Sequence, residues 1–186
     1  MMRKLRRLHH RFVASTRGMA AIEFAMILPI LMVLFLGSFD GGRAIAIYMK
    51  VRSATYALDA ITNQYTTMQA SDMTGVMNAI TQMMKPYPSA PAVIKISQVK
   101  ISASKAATIS WGVAQGGSAR AQGSTISIPA NLAVANTYLI FAEVSYTYTP
   151  LYGYFTAGSL ALADNLYSTP RSSNCIIYVP QNGSSC

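Results

Sequence analysis

The chain contains few charged side chains for its length. Charged residues make up 11% of the 186 residues, whereas hydrophobic residues make up 52%. A soluble domain usually carries about 25% charged residues. The deficit indicates a membrane-spanning segment, an exported protein, or both, and the length allows one domain of ordinary size with a short additional element.

Groups that could perform acid–base chemistry are equally scarce. The chain has six acidic residues and two histidines, His9 and His10, which both lie near its N-terminus. Catalysis needs several titratable groups in one pocket, and a metal site needs a cluster of His, Cys, Asp or Glu. The acids are scattered along the chain, and no glycine motif for phosphate binding follows a strand. We therefore expect no enzymatic activity, no cofactor and no metal site.

Positive charge is concentrated in the first 17 residues, which contain no acid. They hold six of the 15 basic residues, namely Arg3, Lys4, Arg6, Arg7, Arg11 and Arg17. A nucleic-acid-binding domain would carry its basic residues on a folded face, so we expect no nucleic-acid partner. A basic tail before an apolar segment is typical of the cytoplasmic side of a membrane protein.

Residues 19–39 form an apolar run in which Glu23 is the only ionisable side chain. As a helix, the run would be roughly 31 Å long at about 1.5 Å per residue, which matches the hydrocarbon core of a bilayer. We predict a transmembrane helix over residues 19–39, preceded by a cytoplasmic leader over residues 1–18. Residues from 44 onward are then exported.

Two other export signals are weaker alternatives. Ala44-Ile45-Ala46 has the small-x-small form of a secretory cleavage site, but the apolar run is too long, and Asp40 and Arg43 interrupt the cleavage region. Arg6-Arg7 would begin a twin-arginine signal, but Leu-His-His follows instead of the expected apolar pattern.

The position of Glu23 favours a third kind of exported chain, a prepilin. An unpaired acid inside a membrane helix is costly and indicates a function. Cleavage between Gly18 and Met19 would make Met19 the first residue of the mature chain and Glu23 the fifth. The new α-amino group is positive at neutral pH, so Glu23 of one subunit can pair with the Met19 amine of a neighbouring subunit.

The N-terminal segment resembles the start of a TadE-like protein, a family of pseudopilins (TadE, TadF and TadG relatives) of the tight-adherence or Flp pilus system. The resemblance lies in Arg17-Gly18-Met19-Ala20-Ala21-Ile22-Glu23-Phe24-Ala25, Leu28-Pro29, Gly37 and Asp40-Gly41-Gly42-Arg43. It implies cleavage after Gly18 by an aspartic prepilin peptidase. Glu23 and Phe24 are the implied residues for peptidase recognition and assembly, and pilins of this system often have Tyr where Phe24 stands.

The resemblance also implies the partners and the location of the protein. The partners would be the prepilin peptidase, other pilins or pseudopilins, the inner-membrane Tad assembly platform and the lipid bilayer. The protein would be a single-pass protein of the bacterial inner membrane, with its N-terminus in the cytoplasm and its C-terminal domain in the periplasm, and incorporation into a surface pilus stays open.

Beyond Phe39 the helix is predicted to continue as an amphipathic extension over residues 40–69. Its apolar side chains recur every three or four positions; they are Ala44, Ile47, Val51, Ala54, Leu58, Ile61, Tyr65 and Met68. Such a stripe can cover a sheet of its own domain or pack against partner helices. Within the membrane, Pro29 removes one backbone hydrogen bond and predicts a kink; loosening of the helix during extraction from the bilayer is a second interpretation.

Residues 70–186 are predicted to form an exported α+β domain. Ser71-Asp72 is the predicted cap of a short helix that ends near Met84. Stretches rich in β-branched residues then predict strands, at 93–101, 108–113, 125–128, 138–149 and 176–179. The expected fold is pilin-like: a long N-terminal helix, a short second helix and a small antiparallel sheet of four or five strands.

Cys175 and Cys186 are the two cysteines of the chain. An even number of cysteines in an exported protein favours a disulfide between them. Two reduced thiols are the alternative.

The sequence thus predicts a minor pilin-like subunit that helps to initiate or assemble a Tad-type pilus for surface adhesion. The alternative is an uncleaved, membrane-anchored periplasmic binding module. Such a module would present amphipathic tyrosines to a ligand, namely Tyr138, Tyr146, Tyr148, Tyr152 and Tyr154.

Overall fold

The computed structural model describes residues 18–151 and 158–182. Its longest element is helix α1, Met19–Thr62, which continues through Pro29. Proline has no backbone N–H and therefore removes one backbone hydrogen bond of the helix. The many other hydrogen bonds of a helix of this length remain, so the helix does not end there. The kink at Pro29 stays a prediction.

Helix α1 ends at Thr62, before the predicted end at residue 69. The backbone N–H of Asn63 closes the last turn on Asp59 O at 2.9 Å. The chain then turns, and Thr67–Met68 forms strand β1. Met68 is buried, as its place in the apolar stripe predicts, but it is in a strand. The stripe therefore identified buried positions correctly and overestimated the length of the helix.

The second helix, α2, covers Ala70–Met83. It begins one position before Ser71, the first residue of the predicted cap. The N-cap residue is Gln69, and Asp72 is the third helical residue. Asp72 Oδ2 accepts a hydrogen bond from the backbone N–H of Gln69 at 2.9 Å, which satisfies one of the free N–H groups at this end of the helix. The prediction of Ser71-Asp72 as the cap was thus wrong in position, although Asp72 does stabilise the helix start.

Four strands form an antiparallel sheet in the order β3-β2-β4-β5. They are β2 Ala92–Ile101, β3 Ala107–Gln115, β4 Thr137–Tyr148 and β5 Leu160–Ser168. A separate parallel pair joins β1 to β6, Ile177–Tyr178, which is followed by the short helix α3, Val179–Asn182. The α+β class and the antiparallel sheet are confirmed.

The predicted strand at residues 125–128 does not form. A single bridge joins Thr125 to Thr108, and Ile126 and Ile128 instead pack against a small apolar cluster on the outer face of the sheet. In contrast, β5 was not predicted, because Asp164 and Asn165 in its middle disfavour a strand by propensity. Pairing with the whole second half of β4 outweighs that preference.

The main core lies between the inner face of the sheet and the two helices. Alternate residues of β4 point to this face, and they are Ile140, Ala142, Val144, Tyr146 and Tyr148. Helix α1 contributes Ile47, Val51, Ala54 and Leu58. The C-terminal half of α1 therefore covers the sheet of its own domain. This is one of the two uses predicted for the apolar stripe.

Side-chain hydrogen bonds fix the C-terminal segment to the sheet. Trp111 Nε1 donates to Ile176 O at 2.9 Å, and Ile176 N donates to Gln98 Oε1 at 2.6 Å. Further along, the Gln181 amide donates to Gly112 O at 2.9 Å and accepts from Gly112 N at 3.0 Å. Gln181 thereby occupies hydrogen-bonding groups at the edge of β3, where another strand could otherwise pair.

Candidate membrane and assembly segment

The first half of α1 has no protein around it among the described residues. All side chains from residue 18 to residue 35 are exposed, although nearly all are apolar. A long apolar window of the helix has none of its residues buried. Exposing so much apolar surface to water would be unfavourable. One bare apolar helix of this length fits a single-pass membrane protein.

Gly18, Met19, Glu23 and Phe24 lie at the N-terminal end of this segment. Gly18 occupies the N-cap position of α1, and apart from its chain neighbours and the helix backbone no described atom lies within 4 Å of where a Cβ would stand. Met19 and Glu23 are four residues apart in the helix, so they share one face about 6 Å apart along the axis. No hydrogen bond or ion pair joins Glu23 to another described residue, so its carboxylate is available to a neighbouring molecule.

The outer half of α1 also has an exposed face opposite the core. Ile45, Tyr48, Met49 and Tyr56 are exposed there, and the Arg52 guanidinium lies over the Tyr56 ring at 5.7 Å from its centroid. The spacing of Ile45, Met49 and Tyr56 follows the helical repeat. An exposed apolar face thus continues from the first half of α1 into its second half.

Asp40 joins the end of the apolar segment to the sheet. Tyr148 Oη lies 3.3 Å from both the backbone oxygen and Oδ1 of Asp40, and Leu151 N donates to Asp40 Oδ1 at 3.1 Å. An apolar cleft of about 150 Å³ lies beside them; its lining residues include Gly37, Gly41, Ala44, Pro150 and Leu160. In the sequence Asp40 marks the end of the apolar run, and no local pattern indicates its contact with Tyr148, 108 residues later.

The profile of a family described as TadE-like protein matches residues 18–57. This N-terminal segment is TadE-like. The match begins at Gly18 and covers most of α1, and so it confirms the resemblance on which the sequence analysis relied. It supports a pilin-like protein related to the Tad pilus and associated with components of that pilus. No curated protein and no solved structure matches the chain.

The tyrosines of the alternative binding module are not displayed together. Tyr146 and Tyr148 are buried between the sheet and the TadE-like helix. Tyr138 is half-buried and its ring lies 5.7 Å from the Lys100 ammonium. Tyr152 and Tyr154 lie outside the described residues. The expectation of a tyrosine surface on β4 was therefore wrong for Tyr146 and Tyr148, because they point to the face that α1 covers.

Cys175 is buried. It directly precedes Ile176, whose backbone is hydrogen-bonded to the side chains of Trp111 and Gln98. Cys186 lies outside the described residues. The predicted disulfide between them stays a prediction.

Asp59, near the C-terminal end of α1, is a buried acid for which the sequence indicates no role. Its side chain is 4% exposed, and Oδ1 accepts a hydrogen bond from Ser168 Oγ of β5 at 2.5 Å. Asn63 Nδ2 donates to the same Ser168 Oγ at 2.7 Å. Burial raises the pKa of Asp59, and the hydrogen bonds from Ser168 and Asn63 and the charge of Arg171 offset only part of this effect.

The raised pKa of Asp59 predicts a specific pH dependence of stability. The folded protein holds the proton more tightly than the unfolded chain, in which the pKa is near 3.8. The contribution of Asp59 to the free energy of unfolding is therefore greatest below pH 3.8 and is lost as the pH rises through the raised pKa. Asp59→Asn cannot titrate, so it should lose this component and be at least as stable as the wild type at neutral pH.

Urea unfolding of the full chain in detergent at a series of pH values measures the difference between wild type and Asp59→Asn. Asp59→Ala is the matched control, since it lacks the titratable group like Asp59→Asn but also removes the acceptor of the Ser168 hydroxyl, so it should be about 1–3 kcal/mol less stable than Asp59→Asn at every pH. A wild type that gains stability over Asp59→Asn as the pH rises would contradict the prediction.

Proposed function

We propose that this chain is a minor pilin-like subunit of a Tad/Flp-type pilus assembly or secretion system, and that it helps to initiate or assemble a pilus for surface adhesion. One observation carries the proposal: the half of α1 that no other described residue covers bears Gly18, Met19 and Glu23 at its N-terminal end, within a TadE-like segment. The sheet of the exported α+β domain packs against the other half of the same helix. The chain acts by assembly and not by catalysis.

Processing by a prepilin peptidase between Gly18 and Met19 is the first step. Gly18 lies at the helix start, where no described atom surrounds it, so the bond that follows it is accessible from the cytoplasmic side. Cleavage replaces the basic leader by a single α-amino group on Met19. That group is cationic at neutral pH.

Assembly then uses the new amine and Glu23. In a low-dielectric environment an isolated carboxylate is strongly disfavoured, and pairing it with a cation offsets much of that cost. The Met19 amine lies at the end of the helix, about one turn from Glu23 of the same subunit. When one subunit is shifted by about that distance along the helix axis, its Met19 amine lies beside Glu23 of the neighbouring subunit. The exposed face with Ile45, Met49 and Tyr56 extends the helix contact beyond the membrane.

The orientation follows from the distribution of charge. The basic residues before Gly18 favour a cytoplasmic N-terminus, so the sheet lies in the periplasm of a bacterial inner-membrane protein until the subunit enters a pilus. The partners are the peptidase, other pilins or pseudopilins and the membrane assembly platform.

The decisive test is the mass of the protein expressed with and without a prepilin peptidase. We expect the peptidase to remove residues 1–18, so that the N-terminal sequence begins Met19-Ala20. Gly18→Leu should abolish this change, because a branched side chain beside the scissile carbonyl obstructs an active site that accepts glycine. Intact-mass spectrometry and N-terminal sequencing measure both results.

Gly42→Leu is the control for Gly18→Leu, since Gly42 is also exposed and helical with nothing within 4 Å of an added Cβ. It should be processed like the wild type. An unchanged mass of the wild-type chain in the presence of the peptidase would contradict the proposal and would favour an uncleaved membrane-anchored protein.

A further inference from the structure

The contact of Asp40 with the sheet fixes the height of one end of the domain above the membrane. Asp40 directly follows the last residue of the apolar run. If the run spans the bilayer core, Asp40 lies at the exported boundary of that core. Tyr148 and Leu151 are hydrogen-bonded to Asp40, and so they lie at the same level.

Strand β5 runs alongside α1 away from this boundary. Leu160, at the start of β5, lines the cleft beside Asp40, and Ser168, at its end, is hydrogen-bonded to Asp59. From Asp40 to Asp59 the helix rises about 28 Å. From Leu160 to Ser168 a strand extends about 27 Å. Because these two lengths agree, β5 and α1 are nearly parallel. One end of the sheet therefore lies at the membrane boundary beside Asp40, and the other end lies far from it.

The near end of the sheet carries exposed apolar side chains. Leu151 is 64% exposed and Leu160 is 41% exposed, at the level where Phe39 of α1 is 48% exposed. The Arg43 guanidinium lies 5.9 Å from the centroid of the Phe39 ring. Apolar side chains with a cation just above them match the layer in which acyl chains meet phosphate headgroups.

We propose that this end of the sheet rests on the exported leaflet, with Leu151 and Leu160 among the upper acyl chains and Arg43 facing lipid phosphates. The inference depends on the membrane span of the proposed function. Lipid is the occupant because these side chains are continuous with the bare apolar half of α1 and lie at the level where that half ends. The domain is thereby held upright against the membrane by a second contact besides the helix.

Quenching of tryptophan by brominated lipid tests this placement. The chain has one tryptophan, Trp111, which is buried in the sheet and provides a constant background. The full chain is placed, one copy per disc, in nanodiscs of phosphatidylcholine with bromine at shallow or deep acyl positions. The test variants are Leu151→Trp and Leu160→Trp. Phe39→Trp marks the boundary, and Leu31→Trp marks the membrane interior.

Val134→Trp is the matched control. Val134 is another apolar residue on a loop, 57% exposed, and it lies just before the far end of β4. We expect shallow bromine to reduce the emission of Leu151→Trp and Leu160→Trp about as much as that of Phe39→Trp, with a blue shift on transfer from detergent to lipid. Val134→Trp should match the wild-type background, and Leu31→Trp should be quenched most by deep bromine.

The outcomes separate the two claims. If Leu31→Trp is quenched while Leu151→Trp and Leu160→Trp behave like Val134→Trp, the leaflet contact is wrong and the membrane span stands. If Leu31→Trp is not quenched, the membrane span of the proposed function fails and the leaflet contact fails with it. Because each disc holds one copy, contact with a second chain cannot imitate quenching by lipid.

Discussion

Glu23→Ala is expected to abolish incorporation of the protein into pili while leaving cleavage and folding intact. Glu23 lies in the bare half of α1, where the sheet does not contact it. Its proposed partner, the Met19 amine of a neighbour, would remain buried without a counter-charge. Removing one member of such a pair costs about 3–5 kcal/mol, which weakens the contact between subunits by roughly two to four orders of magnitude.

The measurement is the fraction of the chain in sheared surface pili relative to the total in membranes. Glu23→Gln should have the same effect, because it keeps the shape and removes the charge. Met26→Leu is the control, since it conserves volume at a nearby exposed position of the same helix. Wild-type piliation in both Glu23 variants would exclude the pairing role, and intact mass confirms in parallel that the leader is still removed.

Trp111→Ala should cause the largest loss of stability of any single truncation in the sheet. Trp111 is fully buried, its ring lies 5.5 Å from that of Tyr178, and its Nε1 is bonded to Ile176 O. Truncating a buried Trp to Ala typically costs about 3–5 kcal/mol. The change would also leave the Ile176 carbonyl without its donor and loosen the parallel pair of β1 and β6.

Circular dichroism during urea unfolding of the full chain in detergent measures this loss without relying on tryptophan emission. Trp111→Phe is the comparison, because it keeps an aromatic ring and removes the N–H donor, at an expected cost of about 1–3 kcal/mol. A Trp111→Ala chain as stable as Trp111→Phe would mean that the ring contributes little and that the argument from burial is mistaken.

The features that the sequence predicted well are those set by local order along the chain. An apolar helix long enough to cross a membrane depends on length and polarity alone, so residues 19–39 predicted one without knowledge of the fold, and α1 is a helix there with its apolar window unburied. Helix and strand repeats likewise place the buried face of α1 and of β4, since side-chain direction follows directly from the repeat. The position of Glu23 relative to Gly18 is also a local feature, and the TadE-like match covers the same segment.

The features that the sequence predicted poorly depend on contacts between distant residues. The end of α1 at Thr62 reflects the pairing of Thr67–Met68 with Ile177–Tyr178, which no local pattern indicates. Strand β5 exists because β4 pairs with it, despite Asp164 and Asn165 in its middle. The partners of Asp40 and Asp59 come from the sheet, more than 100 residues away.

The sequence by itself thus determined that an apolar helix with one acid follows a basic stretch, because polarity, length and spacing are properties of consecutive residues. Only the tertiary structure decided where that helix ends, which strand lies alongside it, and which end of the sheet lies beside Asp40. Those outcomes depend on the register of the strands and on hydrogen bonds between residues far apart in the sequence. Such contacts leave no pattern in the residues next to either partner.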